Sequence, residues 1–246
     1  MPRTARSLVA GGYYHVINRG NNRATLFSTA AEFSAFLSLI AQAQTRSELP
    51  ILAACLMPNH FHLVVSPRRA NDISHWMQWL LTTHSHRHHL QHGTTGRVWQ
   101  GRFKAFPIEQ DRHLLTVMRY VERNALRAGL VSRAEDWAWG SLAWRRRGIA
   151  DGLLSLPPVP LPSDWLDRVN APQTAEELAD LRACVNRQRP YGEDEWVKSA
   201  TVALGLESSL RRRGRPRKSL PAEAPCGADP TRAAASDRKK RMSPIS

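Results

Sequence analysis

The chain has 246 residues, a formal net charge of +14 and an isoelectric point near 10.9, and 42 % of its residues are hydrophobic. That apolar content suffices for a folded core, so the excess of cations implies a polyanionic partner, with nucleic acid the first candidate. An anionic membrane surface is the weaker alternative: the longest apolar run, Ile51 to Met57, is far too short to span a bilayer, and no amphipathic anchor stands out.

In chain order, the apolar stretch after Arg6 is broken by Gly11 and Gly12, unlike a signal peptide, so a cytoplasmic, nucleoid-associated protein is expected. Tyr13 to Asn18 reads as a strand. Ser28 or Thr29 can cap a helix in which Phe33, Phe36, Leu37 and Ile40 recur at helical spacing and mark core. Pro50 to Met57 reads as a second strand, joined by Pro58-Asn59 to a third that begins at His60. A helix is expected from about Asp72 to His89. In the following segment, Val98 to Ile108, Trp99, Phe103 and Ala105 alternate with Gln100, Arg102 and Lys104, which predicts a strand with one buried and one basic face. Strand-helix-strand-strand-helix-strand is the order of a ferredoxin-like α+β unit, an antiparallel sheet with helices on one face and the other left free.

Within the third strand, alternation sends His60 and His62 to one side and Phe61, Leu63 and Val65 to the other. Two imidazoles standing together on an apolar strand are a metal-binding geometry lacking a third ligand, although hydrogen-bonded core histidines account for a bare His-x-His as well. On the helix that runs from Asp111 to Ala128, Leu114, Met118, Val121 and Ala125 form an apolar stripe. Tyr120 lies about 130° from the middle of that stripe, with Asn124 one turn on, so a second, polar face is expected there.

These residues resemble the single-tyrosine HUH transposases. His60-Phe61-His62 is similar to the family's signature, and Tyr14-His15-Val16-Ile17-Asn18-Arg19-Gly20-Asn21, Trp99-Gln100-Gly101-Arg102-Phe103-Lys104 and Arg119-Tyr120-Val121-Glu122-Arg123-Asn124 narrow the resemblance to the REP-associated tyrosine transposases. A weaker likeness continues through Arg189-Pro190-Tyr191-Gly192 into Arg213-Gly214-Arg215-Pro216. The resemblance implies a tyrosine helix lying across the open face of the sheet, with Tyr120 as nucleophile. His60, His62 and Asn124 would be the metal ligands, and many relatives carry glutamine in place of Asn124. Mg²⁺ or Mn²⁺ would be the cofactor, without any nucleotide. The implied substrate is single-stranded hairpin DNA of repeated palindromes, processed through a 5′-phosphotyrosine. Arg19, Asn21, Arg23, Arg102 and Lys104 are candidate DNA contacts, each with solvated surface charge as its alternative. Two rival functions remain open: a DNA-binding relative that no longer cuts, and a hydrolase whose histidines activate water.

Beyond residues 1–147, which hold these motifs, the proline-rich stretch 148–163 reads as a connector. Residues 164–206 read as a small helical accessory region opened by the capping box Thr174-Ala175-Glu176-Glu177. Residues 207–246 read as a basic, disordered tail. Within it Arg213, Arg215 and Arg217 resemble an AT-hook, with a non-specific phosphate tether as the alternative. The cluster His84, His86, His88, His89 and His92 is expected to be a solvated, partly cationic face rather than a zinc site. Cys55, Cys184 and Cys226 have no ligand spacing and are expected to be inert. Oligomeric state is not readable.

Overall fold

The computed structural model describes residues 8–149 and 152–210. Four strands, β1 (Tyr13–Arg19), β2 (Ile51–Met57), β3 (His60–Val65) and β4 (Lys104–Ile108), form an antiparallel sheet in the order β2-β3-β1-β4. With α1 (Ala30–Arg46) between β1 and β2 and α2 (Asp72–His92) between β3 and β4, this is the expected ferredoxin-like α+β arrangement.

Side-chain alternation divides the interior into two cores, one on each face of the sheet. Tyr14, Val16, Phe61, Leu63 and Val65 point to α1 and α2, meeting Phe33, Phe36, Ile40, Trp76 and Leu80. On the opposite face, Cys55, Met57, Val64, Phe106 and Ile108 meet Leu114, Val117, Met118 and Val121 of α3 (Arg112–Glu122). A short continuation, α4 (Asn124–Arg127), follows α3. Local chemistry agrees with these assignments. Thr29 caps α1 in a reciprocal box with Glu32, a contact whose loss costs about 1 kcal/mol in typical helices. The β2–β3 turn is held from outside, because the Pro58 carbonyl accepts the amides of Leu26 and Phe27 and the Asn59 carbonyl that of Gly20. At Gly20 a Cβ would come within 2.4 Å of the Ala24 carbonyl oxygen, so only glycine lets the chain turn there.

The strand expected over 98–108 is present only from Lys104. Gly20 bridges Trp99 and Ile17 pairs with Lys104, so three steps along β1 oppose five along the other segment. The surplus residues loop out, with the Asn18 amide donating to the Gly101 carbonyl at 3.2 Å. Burial still alternates as expected: Trp99 and Phe103 are inside, Gln100, Arg102 and Lys104 outside.

Described residues between 152 and 191 pack against the core. After α5 (Ser141–Arg146), Leu153 and Leu154 lie on the first core, and the Ser155 amide donates to the Ile51 carbonyl at 2.8 Å. Trp165 and Val169 of α6 (Trp165–Asn170), with Leu181 and Cys184 of α7 (Ala175–Arg187), complete the second core. Tyr191 then runs parallel beside Ile108 at the free edge of β4. α8 (Asp194–Ala203) and α9 (Glu207–Leu210) end the described chain. Among the described residues, no helix is long and apolar enough to cross a membrane.

Candidate active site

Strand pairing creates the site. In the β1–β3 register Arg19 lies opposite His60 and Ile17 opposite His62, and alternation turns His15 toward the α3 face as well. The His15 and His62 rings stack at 4.9 Å between centroids with 12° between planes, and His15 Nε2 lies 2.8 Å from His62 Nδ1. His60 stands edge-on to His62 at 4.9 Å, and its Nδ1 lies 2.6 Å from the Asn59 side-chain oxygen. Amide oxygen only accepts, so His60 carries its proton on Nδ1 and presents a bare Nε2.

All three imidazoles are held neutral. Burial, with the neighbouring His60 adding to the effect, pushes the His15 pKa down to about 3. Burial, then Arg19 and Arg127, brings His60 to about 4. Burial lowers His62 well below the ordinary value, with His60, His15, Arg127 and Arg19 adding to the effect. Neutral imidazole is the ligand form.

From α3, Tyr120 reaches the same place. Its ring stands edge-on to His62 at 5.9 Å and 85°, and to His15 at 6.2 Å and 88°. The Arg127 guanidinium lies over the ring, 4.3 Å from its centroid. The polar face expected around Tyr120 is not solvated, since Tyr120 is 5 % and Asn124 1 % exposed. The reason is that this face of the helix packs on the sheet, where the Tyr120 ring meets His15 and His62 and Arg127 lies over it, while Arg119 and Arg123 tie α3 to α6 and the turn after it. These side chains donate to the carbonyls of Arg168, Ala171 and Pro172, and of Val169 and Asn170.

Asn124 arrives beside the tyrosine, yet its side-chain oxygen accepts from Arg127 and its Nδ2 is buried with no partner. The expected third-ligand oxygen is thus already engaged by a guanidinium. A divalent cation fits the two histidines: both Nδ1 atoms have partners and both rings are neutral. Any further ligand needs Asn124 released or oxygen from a substrate or water.

The candidate DNA contacts fall into two groups. Arg19, Arg102 and Lys104 line one cleft together with Asn186 of α7, and the Arg19 Nε is buried without a partner. Asn21 and Arg23 form a tight 3-10 turn packed on the β2–β3 turn, where the Arg23 carbonyl accepts from the Asn59 side chain at 3.1 Å. Arg213, Arg215 and Arg217 lie outside the described residues, as does Cys226. Cys55 and Cys184 are buried, and burial pushes both thiols up to about 12, as inert cysteines require.

The α2 histidines differ from expectation. His84 is buried against Phe27, Phe36 and Trp99, and burial brings its pKa down to about 3. It is therefore a neutral core residue rather than part of a cationic face, because α1 packs over that side of α2. His86 and His92 remain exposed.

Three important residues were not singled out from sequence. His15 sits on the inward face of an apolar strand, the same costly pattern that marked His60 and His62. Arg127 follows Asn124 by three positions, within reach on one helical face. Glu122 is fully buried and accepts from Ser141 Oγ at 2.6 Å, Trp165 Nε1 at 2.7 Å and Arg145, binding α3 to α5 and α6. Sequence also gave no hint of Glu109, Asp111 and His113, whose ligand atoms lie within 4.8 Å of one another. Asp111 caps α3 by accepting the His113 amide at 2.6 Å, and Glu109 accepts the Glu193 amide at 2.7 Å, so both carboxylates already serve local structure.

Residues 8–124 match the family described as "Transposase IS200 like". Among solved structures, a REP-associated tyrosine transposase bound to a REP hairpin is 19 % identical, with a TM-score of 0.51 over 65 % of this chain and 92 % of that one. A suspected transposase from Deinococcus radiodurans R1 is 16 % identical, with a TM-score of 0.36 over 49 % of this chain and 96 % of that one. Comparison with the curated proteins gave no match.

Proposed function

We propose, on the match of residues 8–124 to the family described as "Transposase IS200 like", that the chain is a metal-dependent single-tyrosine endonuclease and strand transferase acting on single-stranded hairpin DNA. The observation that carries this reading is the approach of Tyr120, from a helix, to His62, from a central strand, with the two rings 5.9 Å apart and His60 edge-on to His62. A buried phenol set against neutral imidazoles is an arrangement that a structural core does not need.

A phosphodiester is anionic and its sugar oxygen leaves poorly, so chemistry at it needs charge neutralisation and in-line placement. Mg²⁺ or Mn²⁺ held by His60 and His62 would supply the neutralisation. Tyr120 would attack phosphorus. The tyrosyl O–P bond forms, the P–O3′ bond breaks, the phenol loses a proton and the departing 3′ oxygen gains one. A 3′-hydroxyl from another strand then reverses the same exchange, which conserves the bond and dispenses with a nucleotide cofactor. Arg19, Asn21, Arg23, Arg102 and Lys104 would track the backbone beside the site, and Arg213, Arg215 and Arg217 would add phosphate contacts. The REP hairpin bound to the structural neighbour supports hairpin DNA as the substrate class.

A rival reading, a protein that grips the hairpin without cutting, draws on the engagement of Asn124 by Arg127. Incubation with Mn²⁺ and labelled hairpin oligonucleotides, followed by denaturation, separates the two. The proposal expects DNA to travel with the polypeptide, and Tyr120→Phe to abolish that adduct while hairpin affinity stays within about twofold. Binding without adduct across a panel of hairpins would favour the rival.

A further inference from the structure

Among the described residues, Arg127 is the strong cation placed directly on the tyrosine and the amide, and its hydrogen bonding is incomplete. Its guanidinium covers the Tyr120 ring at 4.3 Å, and Nη2 donates to the Asn124 side-chain oxygen, while its other terminal nitrogen, Nη1, is buried with no partner. The Asn124 Nδ2 beside it is likewise unpartnered. Desolvating guanidinium nitrogens without acceptors is costly, and an acceptor brought by a ligand would relieve that cost. Phosphate suits best: it is anionic, offers several oxygens, and matches the planar fork of arginine.

We propose that Arg127 is a phosphate receptor at the cleavage site, kept in place by Asn124 until DNA arrives. This rests on the function proposed above. A backbone phosphate satisfies the idle nitrogen and draws the guanidinium toward itself. The Asn124 oxygen is then released, and it becomes free to join His60 and His62 around a cation. In the DNA-free protein Arg127 therefore keeps the cation site short of one ligand, and substrate completes it.

The inference has a signature that simple damage does not produce. Mn²⁺ affinity of the DNA-free protein, read by electron paramagnetic resonance, should rise about tenfold in Arg127→Met, because Asn124 is released. The rise should vanish in Arg127→Met/Asn124→Ala, which separates a freed ligand from the mere removal of a nearby positive charge. Without metal, the affinity of Arg127→Met for a labelled hairpin oligonucleotide with a single-stranded flank should fall less steeply with salt, by roughly one phosphate's worth of log–log slope. Arg127→Lys, which keeps the cation, should retain the slope and still release Asn124, and it guards against a poorly folded methionine variant. An unchanged Mn²⁺ affinity, a rise that persists in the double variant, or an unchanged salt slope would each overturn the proposal. If wild-type protein forms no covalent adduct while these responses appear, the strand-transfer reading fails and the Arg127 assignment stands.

Discussion

Two buried polar clusters lie within two turns of the same helix, and they are finished differently. Around Glu122 the carboxylate meets Ser141, Trp165 and Arg145, and Ser141 Oγ in turn accepts the Ala54 amide at 3.0 Å. Around Tyr120, by contrast, His15 Nδ1, Asn124 Nδ2 and Arg127 Nη1 are buried with no partner. A saturated network is what a fold requires to bury charge, whereas an unsaturated one holds capacity for something not yet bound. The contrast teaches that Glu122, although the most deeply buried charge on α3, belongs to the architecture, and that the cluster around Tyr120 keeps hydrogen-bonding capacity in reserve.

Substitutions can test that division. Glu122→Ala should be the most damaging, because it strands Arg145 and the Trp165 indole; about 3–5 kcal/mol of stability should be lost in urea unfolding. A loss below about 1 kcal/mol would mean that the saturated cluster does not carry the fold. His62→Gln should leave the fold cooperative while weakening Mn²⁺ binding by about 100-fold or more, measured by calorimetry. Should Mn²⁺ bind as before, the cation site lies elsewhere, with Glu109, Asp111 and His113 the first place to look.

Acid should weaken the fold through the neutral histidines on both sides of the sheet. The pKa values of His15 and His84 are near 3 in the folded protein, against an ordinary 6.5. Between those values the unfolded chain binds more protons. Stability is therefore full above about pH 6.5 and falls as pH drops toward 3. His84→Phe should remove close to one proton from the slope of stability against pH in that window and leave adduct formation unaltered. An unchanged slope would mean that His84 is protonated within the fold. The smallest effect is expected at the rim: Arg102→Ser should lower the log–log salt slope of hairpin binding by about one, with little change in adduct yield at low salt.

The sheet and both faces of β3 were legible because strand alternation is a local property, and Phe61, Leu63 and Val65 on one side against His60 and His62 on the other could be read directly. The capping boxes at Thr29 and Thr174 were legible for the same reason. Less legible was anything set by contacts distant in sequence. The burial of Tyr120 and Asn124 depends on His15 and His62 of the sheet and on Arg127, so helical period alone showed a polar face but not what closes over it. The early start expected for β4 failed because a two-residue surplus between paired positions cannot be seen in an alternating pattern. His15 was readable in principle, as an inward histidine on β1, but its partner is on another strand. Arg127 and Glu122 needed coordinates, since their roles lie in which acceptors they reach.

Mass spectrometry of the trapped adduct tests the central claim most directly. The protein contains four tyrosines, Tyr13, Tyr14, Tyr120 and Tyr191. After reaction with a hairpin oligonucleotide in Mn²⁺, nuclease digestion and proteolysis, the account predicts a nucleotide 5′-phosphate on the peptide carrying Tyr120 and on no other. A remnant mapped to a different residue, or DNA cleavage that persists in Tyr120→Phe, would contradict it.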